Sequence, residues 1–153
     1  MASSKGVQRF LDNTPGLDFD IREMTETTHT AQEAAEAVGC PVAAIVKSLV
    51  FAIDDEPVLL LVSGPNRVNV DAVASRLGVN LGKADADQVK AVTGYSIGGV
   101  PPFGHVNAVL TFMDEDLLVI DQLWAAAGSA NAVFPIEPDR LRELSKAEII
   151  NVH

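Results

Sequence analysis

Two stretches of the sequence combine residue types that could bind and polarise a small ligand. The first, Gly94 to His105 (GYSIGGVPPFGH), contains four of the 11 glycines and two of the 8 prolines. Glycine allows positive φ and a close approach of backbone to a ligand, while proline fixes φ and removes a hydrogen-bond donor. The composition predicts a shaped binding loop with accessible N–H groups, and a purely structural turn is the alternative.

The second stretch places a lysine within an apolar strand. The segment Ile45 to Ile53 (IVKSLVFAI) is apolar on both faces and predicts a fully covered central strand, in which Lys47 and Ser48 face opposite sides. A charged amine there is unfavourable unless it meets an anion, a cleft or a partner. The alternative is a lysine whose stem packs while its ammonium group reaches solvent.

A third pattern has the spacing of a serine nucleophile. Gly94 to Gly98 matches G-x-S-x-G around Ser96, and Asp121 and His153 follow in the order that hydrolases use. That motif requires a strand before the serine and a helix after it. Here a helical pattern precedes Ser96 and the Gly/Pro loop follows, so a serine hydrolase is the less favoured hypothesis.

Short helices and strands alternate along the chain without a strict βαβ rhythm, which favours an α/β fold of the mixed α+β type in a single domain, residues 1–153. Helices are predicted to begin near Ser3 or Ser4 and at Thr30, Asn69, Asp85 and Pro138. Strands are predicted at 17–24, 45–53, 58–62, 80–84, 106–112, 132–136 and 147–152, with a helical turn and a strand within 117–127. The polar segment 25–29 is predicted to be a loop beside a cleft.

The bulk composition excludes several function classes. The formal net charge of −10 argues against DNA binding and against broad nucleic-acid binding, so any nucleic acid would be held at a small basic site. No apolar run approaches the length of a membrane span, and the single cysteine, Cys40, indicates a reducing, cytoplasmic compartment. The three histidines have no paired spacing, so neither a metal site nor a cofactor is expected.

The order of these features resembles the YbaK/EbsC family of aminoacyl-tRNA editing domains, also called the ProX or INS-domain family. The resemblance rests on Lys47 to Phe51 (KSLVF), Val62 to Gly64 (VSG), the loop Thr93 to Gly104 and the late Ala127 to Ser129 (AGS), and it covers nearly the whole chain. It implies a compact α/β fold with a mixed, barrel-like sheet. It also implies hydrolysis of the ester that joins a wrong amino acid to a tRNA, mainly proline tRNA, in trans.

The resemblance also implies roles for particular residues. Lys47 aligns with the essential lysine of the family, and Gly98 and Gly99 align with the loop around the aminoacyl group, so these three are the expected catalytic residues. Residues expected to bind substrate are Ser48, Val100, Pro101, Pro102, Phe103, His105 and Ser129, to which Thr28 and His29 are added because of their place in the chain. The implied partners are the acceptor end of an aminoacyl-tRNA and a prolyl-tRNA synthetase.

The sequence leaves the substrate open. Ser48 stands where better-known members carry threonine or asparagine, and Pro101 and His105 also depart from the family pattern. Because one methylene changes binding by only about 1–3 kcal/mol, alanine, cysteine, serine and 2-aminobutyrate all stay candidates. A binding module that holds a small ligand or a tRNA end without turnover is the alternative to an enzyme. The oligomeric state is not predicted.

Overall fold

The computed structural model describes residues 5–24 and 30–153 of the chain. Its strands are β1 (Arg22–Glu23), β2 (Ile45–Ile53), β3 (Glu56–Ser63), β4 (Leu81–Lys83), β5 (Leu110–Asp114), β6 (Leu123–Ala126), β7 (Ala132–Ile136) and β8 (Glu148–Ile150). Its helices are α1 (Lys5–Asn13), α2 (Ala31–Val38), α3 (Val70–Leu77), α4 (Ala86–Thr93) and α5 (Pro138–Ser145). Turns of 3-10 helix lie at Val42–Ala44 and Glu115–Val119.

The strands form one mixed sheet in the order β1-β7-β6-β2-β3-β5-β8, and β4 pairs with β2 outside this path. The pairs β2–β6, β3–β5 and β5–β8 are parallel, while the other pairs are antiparallel. This mixture of parallel and antiparallel strands with short helices confirms the predicted α/β fold of the mixed α+β type.

The longest pairing joins β2 to β3 as an antiparallel hairpin. It runs from Val46 opposite Ser63 to Ile53 opposite Glu56. Asp54 and Asp55 form the two-residue turn, with φ angles of 49° and 70°. Positive φ at both central positions matches the right-handed twist of the flanking strands, and aspartate tolerates this conformation better than most residues.

The second edge of β2 is only partly paired. β6 pairs with Ile45 and Val46, and β4 pairs with Phe51 to Ile53. Within residues 5–24 and 30–153, no strand pairs with positions 47–50 on this side. These middle residues are half-buried, so the prediction of a fully covered strand is wrong for the middle of β2. The reason is that its two neighbours on this edge are short and stop before they meet.

Local capping chemistry explains where the helices begin and end. The Thr30 and Asn69 side chains accept hydrogen bonds from backbone N–H groups in the first turns of α2 and α3. Asp85 forms a complete capping box with Gln88 at the start of α4. Glycines in the left-handed conformation follow these three helices at positions 39, 78 and 94. These beginnings and ends agree with the sequence predictions.

Two strand predictions were wrong in extent. Only Arg22–Glu23 of the predicted strand at 17–24 is a strand, although the alternating apolar residues before it pack against the core. The alternation of apolar and polar residues in this segment reflects which side chains are buried, and it does not indicate pairing with a neighbouring strand. The strand predicted at 106–112 is Leu110–Asp114 instead, because the Val106 and Asn107 N–H groups donate to carbonyls at the end of α4.

An aromatic cluster fills the core on one side of the sheet. The rings of Phe10, Phe19, Phe103 and Phe134 lie with their centroids 4.7 to 5.9 Å apart. The cluster joins α1 and β7 to the second half of the glycine loop. Among the described helices, none combines the length and the apolar character needed to cross a membrane.

Candidate active site

A cavity of 570 Å³ opens beside the unpaired edge of β2. Five of the residues that the sequence singled out line it: Lys47, Ser48, Gly98, Val100 and Ser129. The rest of its wall is mainly apolar and comes from α2, β2, β6 and β7, with Ala31, Ala34, Ile45, Val46, Trp124, Ala126, Ala132 and Val133. The structure therefore brings the lysine strand, the glycine loop and the late serine to one place.

Lys47 is half-buried at the edge of this cavity. Its Nζ donates a hydrogen bond to the backbone carbonyl of Asn66, just beyond the end of β3. Burial lowers the pKa of Lys47, and the nearby Arg67 lowers it further, while the Asp114 carboxylate opposes this shift. Lys47 thus has a fixed hydrogen-bond partner in the Asn66 carbonyl, and the Asp114 carboxylate offsets its positive charge only in part.

A polar network holds the Asn66 backbone in position. The Asn66 side-chain amide donates to Asp114 Oδ2 at 2.8 Å and to Asp116 Oδ2 at 2.7 Å. Asp114 is fully buried and also accepts the N–H groups of Ser63 at 3.1 Å and Asp116 at 2.9 Å. His153 Nε2 lies 2.8 Å from Asp116 Oδ2, which raises the pKa of His153 and lowers that of Asp116.

The sequence did not predict this network. The available signal was an aspartate directly after an apolar strand that runs beside the end of β3, but only the parallel β3–β5 pairing brings Asp114 close to Asn66.

The first half of the glycine loop is a tight turn against the late serine. The Gly99 N–H donates to the Ser96 carbonyl at 3.0 Å, and Gly98, the third residue of this turn, has a φ of 93°. A side chain on Gly99 would lie 2.8 Å from the Ser129 Cα and 3.0 Å from the Gly128 carbonyl oxygen. Glycine at position 99 therefore allows the backbones of the loop and of Ser129 to touch.

Ser129 and Ser48 differ in how their hydroxyl groups are satisfied. Ser129 Oγ donates to Asn131 Oδ1 at 2.8 Å, and the Asn131 amide donates to the Met24 carbonyl at 3.2 Å. Ser48 Oγ is buried and has no hydrogen-bond partner among the described residues. An unpaired buried hydroxyl costs about 1–3 kcal/mol. A ligand that hydrogen-bonds to the Ser48 hydroxyl therefore removes a cost that the free protein carries.

The second half of the loop does not reach the Lys47 cavity. Pro101, Pro102 and Phe103 are buried, and Phe103 packs within the aromatic cluster. His105 Nε2 lies 2.6 Å from the Pro101 carbonyl oxygen, and burial lowers the pKa of His105. Four residues of this half, Pro102, Phe103, Gly104 and His105, line a separate cavity of 560 Å³ instead.

Two further site predictions, Thr28 and His29, lie outside the described residues.

The serine-hydrolase motif lacks its structural context. Ser96 is exposed, α4 lies before it, and the glycine turn follows it in place of a helix. Its hydroxyl has a contact of 3.5 Å with Lys90 Nζ. His153, the proposed base, is paired with Asp116. In residues 5–24 and 30–153, no group of three or more His, Cys, Asp or Glu side chains could hold a metal ion.

Comparison with known families identifies the domain. Residues 25–144 match the family model described as the aminoacyl-tRNA editing domain. The chain belongs to this family. It is 28% identical over 131 residues to YwhH of Bacillus subtilis, a match that covers 85% of the chain and 83% of YwhH. It is also 35% identical over 94 residues to the proline–tRNA ligase of Nitratidesulfovibrio vulgaris, covering 61% of the chain and 16% of the ligase.

Solved structures have the same fold. One, described as a proposed trans-editing enzyme for prolyl-tRNA synthetase, is 37% identical with a TM-score of 0.91, covering 99% of this chain and 98% of that one. Another, of the hypothetical protein APE2540, is 28% identical with a TM-score of 0.80, covering 90% and 92% of the two chains. The fold and the editing-domain family are thus established together.

Proposed function

We propose that this protein is a free-standing aminoacyl-tRNA deacylase that acts in trans on proline tRNA carrying a small wrong amino acid. One observation carries the proposal: Lys47, Gly98 and Ser129 line the same cavity. Membership of the editing-domain family and the high coverage of a proposed trans-editing enzyme support it. The likeness to part of a proline–tRNA ligase supports proline tRNA as the carrier.

Lys47 supplies the positive charge of the proposed site. An ester carbonyl develops negative charge as water attacks it, and a fixed cation or N–H group near that oxygen lowers the barrier. Lys47 donates to the Asn66 carbonyl in the free protein, and the ammonium group has further N–H bonds for the ester carbonyl or the terminal phosphate. It acts as a positive donor and not as the base.

The glycine loop supplies backbone donors and close contact. The Gly99 N–H is already used in the turn to Ser96, so its part is to let the loop meet Ser129 without a side chain. Gly98 is exposed and lines the cavity, and its N–H forms none of the backbone hydrogen bonds of the described turns and loops. We assign Gly98 as the backbone donor to the developing oxyanion.

The reaction needs no covalent intermediate on the protein. Water adds to the ester carbonyl carbon and gives up a proton, with the neighbouring ribose hydroxyl of the substrate as the assisting group. The tetrahedral intermediate then expels the ribose oxygen, which takes up a proton. The products are the free amino acid and a tRNA with an intact terminal ribose. The protein contributes orientation and charge stabilisation.

The apolar wall limits the side chain of the amino acid. Alanines 31, 34, 126 and 132 and Val133 contribute short side chains to the cavity. Size discrimination of this kind is worth about 1–3 kcal/mol per methylene, so neighbouring small amino acids are separated by 10- to 200-fold at most. We expect alanine, serine, cysteine and 2-aminobutyrate to be cleaved at different rates, and proline to be spared.

A panel of charged tRNAs tests the proposal. Proline tRNA carrying alanine, serine, cysteine or 2-aminobutyrate is incubated with the protein, and release of each amino acid is compared with the spontaneous rate. Correctly charged proline tRNA and alanine tRNA carrying alanine are the controls. Release of at least one small amino acid from proline tRNA supports the proposal. Binding without release above the spontaneous rate would indicate a non-catalytic module instead.

A further inference from the structure

The middle of β2 exposes backbone hydrogen-bonding groups inside the cavity. β6 covers the edge up to Val46, and β4 covers it from Phe51. Between them, the edge at 47–50 faces the space beside the loop residues Gly98 and Val100. In water, unpaired strand edges are usually covered or blunted, because they attract any group that can complete the ladder.

The hairpin geometry shows which residues present these groups. In an antiparallel pair, alternate residues direct both N–H and C=O towards the partner strand or away from it. Ile53 and Glu56 close the two-residue turn, so odd-numbered residues of β2 face β3. Two facts agree: Pro57, which has no N–H, stands opposite Ala52, and the Asp54 N–H donates to the Asn80 carbonyl beside β4.

Ser48 and Val50 therefore direct their N–H and C=O groups into the gap. On this edge Ser48 lies between the end of the β6 pairing at Val46 and the start of the β4 pairing at Phe51, whereas the pairing of Phe51 with Lys83 sets the Val50 carbonyl beside the Ala84 N–H. Ser48 Oγ, which has no hydrogen-bond partner among the described residues, adds a third polar group at position 48. Ser48 lines both the 570 Å³ cavity and a neighbouring cavity of 230 Å³, which Val50 lines too.

The remaining cavity wall offers few other acceptors. The described lining residues include no aspartate or glutamate. The Thr30 hydroxyl is bonded to Glu33, and the Ser129 hydroxyl donates to Asn131. An aminoacyl ester that enters this cavity carries an α-ammonium group, which must keep hydrogen-bond acceptors when it leaves water. The Ser48 backbone carbonyl at the open edge is an acceptor that this cavity offers to such a group.

We propose that the open edge of β2 at Ser48 binds the α-ammonium group of the aminoacyl moiety, with the Ser48 carbonyl as its main acceptor. This inference rests on the proposed function, since it takes an α-amino ester as the substrate class. It assigns recognition to the main chain, so every amino acid is held by the groups that all of them share. Selection then falls to the apolar wall that meets the side chain.

The test uses two non-hydrolysable adenosine conjugates. In one, alanine is joined to a 3′-amino-3′-deoxyadenosine by an amide; in the other, lactate replaces alanine, so that a hydroxyl stands for the ammonium group. Binding is measured by NMR titration of the full chain, following the backbone amides of Ser48 and Val50. We expect the alanyl conjugate to bind about 10- to 100-fold more tightly and to shift both amides.

Several results would overturn the inference. Equal affinity for the two conjugates, shifts that avoid Ser48 and Val50, or no binding at millimolar ligand would each do so. The Ser48→Ala variant separates the hydroxyl from the main chain: the preference for the alanyl conjugate persists if the carbonyl binds the ammonium group. Loss of the preference in this variant would assign the contact to the hydroxyl and contradict the proposal.

Failure of this inference is distinguishable from failure of the proposed function. The conjugates are not hydrolysed, so a preference for alanyl without deacylation in the tRNA panel would retain the edge as a binding site and reject the enzyme. Deacylation without a preference between the conjugates would retain the enzyme and reject the edge.

Discussion

The two halves of the glycine loop have opposite roles in the structure. Ile97, Gly98 and Val100 face the cavity beside Lys47. Pro101 to Phe103 turn into the protein, where Phe103 packs against three other phenylalanine rings. A loop rich in glycine and proline can thus combine two roles: one half lines a cavity while the other half fixes the loop to the core.

Substitution in the core half should produce the largest effect on stability. Phe103→Ala removes a buried ring and should reduce the free energy of unfolding by about 3–5 kcal/mol. The folded fraction should keep its deacylation rate, because Phe103 does not line the Lys47 cavity. Urea denaturation and single-turnover deacylation at low temperature measure the two quantities. A large loss of rate with unchanged stability would place Phe103 in the site and contradict its role as a core residue.

Substitution in the cavity half should act on the rate instead. Gly99→Ala places a Cβ 2.8 Å from the Ser129 Cα, so the loop must move away from the Ser129 backbone. A displacement near 1 Å should reduce deacylation about 100-fold. Gly82→Ala is the matched control, since its Cβ meets nothing within 4 Å and it lies on β4. An active Gly99→Ala protein would show that the contact with Ser129 is dispensable.

Variants of Ser48 and Ser63 distinguish a proposed ligand contact from a structural hydrogen bond. Ser48→Ala deletes a hydroxyl without a partner in the described structure, so stability should hold or rise while deacylation falls by up to about tenfold. Ser63→Ala removes the hydrogen bond from Oγ to the Ala43 carbonyl, 2.6 Å long, and should cost about 1 kcal/mol of stability. Thermal denaturation and deacylation rates of the two variants check this. The opposite pattern would contradict the assignment of Ser48.

The pH dependence should show the smallest effect. Lys47 must be protonated to act as a positive donor, so the rate should fall as pH rises through its pKa, which burial and Arg67 place below that of an ordinary lysine. The Asp114 carboxylate opposes this shift, so Asp114→Asn should move the alkaline limb to still lower pH. Rates corrected for spontaneous ester hydrolysis at each pH provide the measurement. An unmoved limb in Asp114→Asn would show that another group titrates.

Local patterns in the sequence were enough to predict most elements of the fold. Thr30, Asn69 and Asp85 cap their helices through contacts within four residues, and the strand at 45–53 has the predicted ends. The local pattern did not predict the strand boundaries where contacts between distant parts of the chain determine them. The alternation at 17–24 reflects packing against the aromatic cluster, and only a short part of it pairs with β7.

The candidate site was predictable only in part for the same reason. Lys47 stood out because a charged residue is unusual within an apolar strand, and Gly98 because it lies in a loop rich in glycine and proline that resembles the loop of the family. The Asn66 network depends on parallel pairing between β3 and β5, and the open edge depends on where β4 and β6 stop. Neither feature leaves a pattern along the chain. The direction of the second half of the loop likewise depends on which rings it meets.

The most direct test of the account is deacylation by a Lys47→Met variant. Methionine keeps much of the stem and removes the charge, so the variant should fold with unchanged or higher thermal stability. We predict a fall of about 100- to 1000-fold in the single-turnover rate on proline tRNA carrying alanine. Lys5→Met, on the exposed start of α1, should keep the full rate. A fully active Lys47→Met protein would contradict the account.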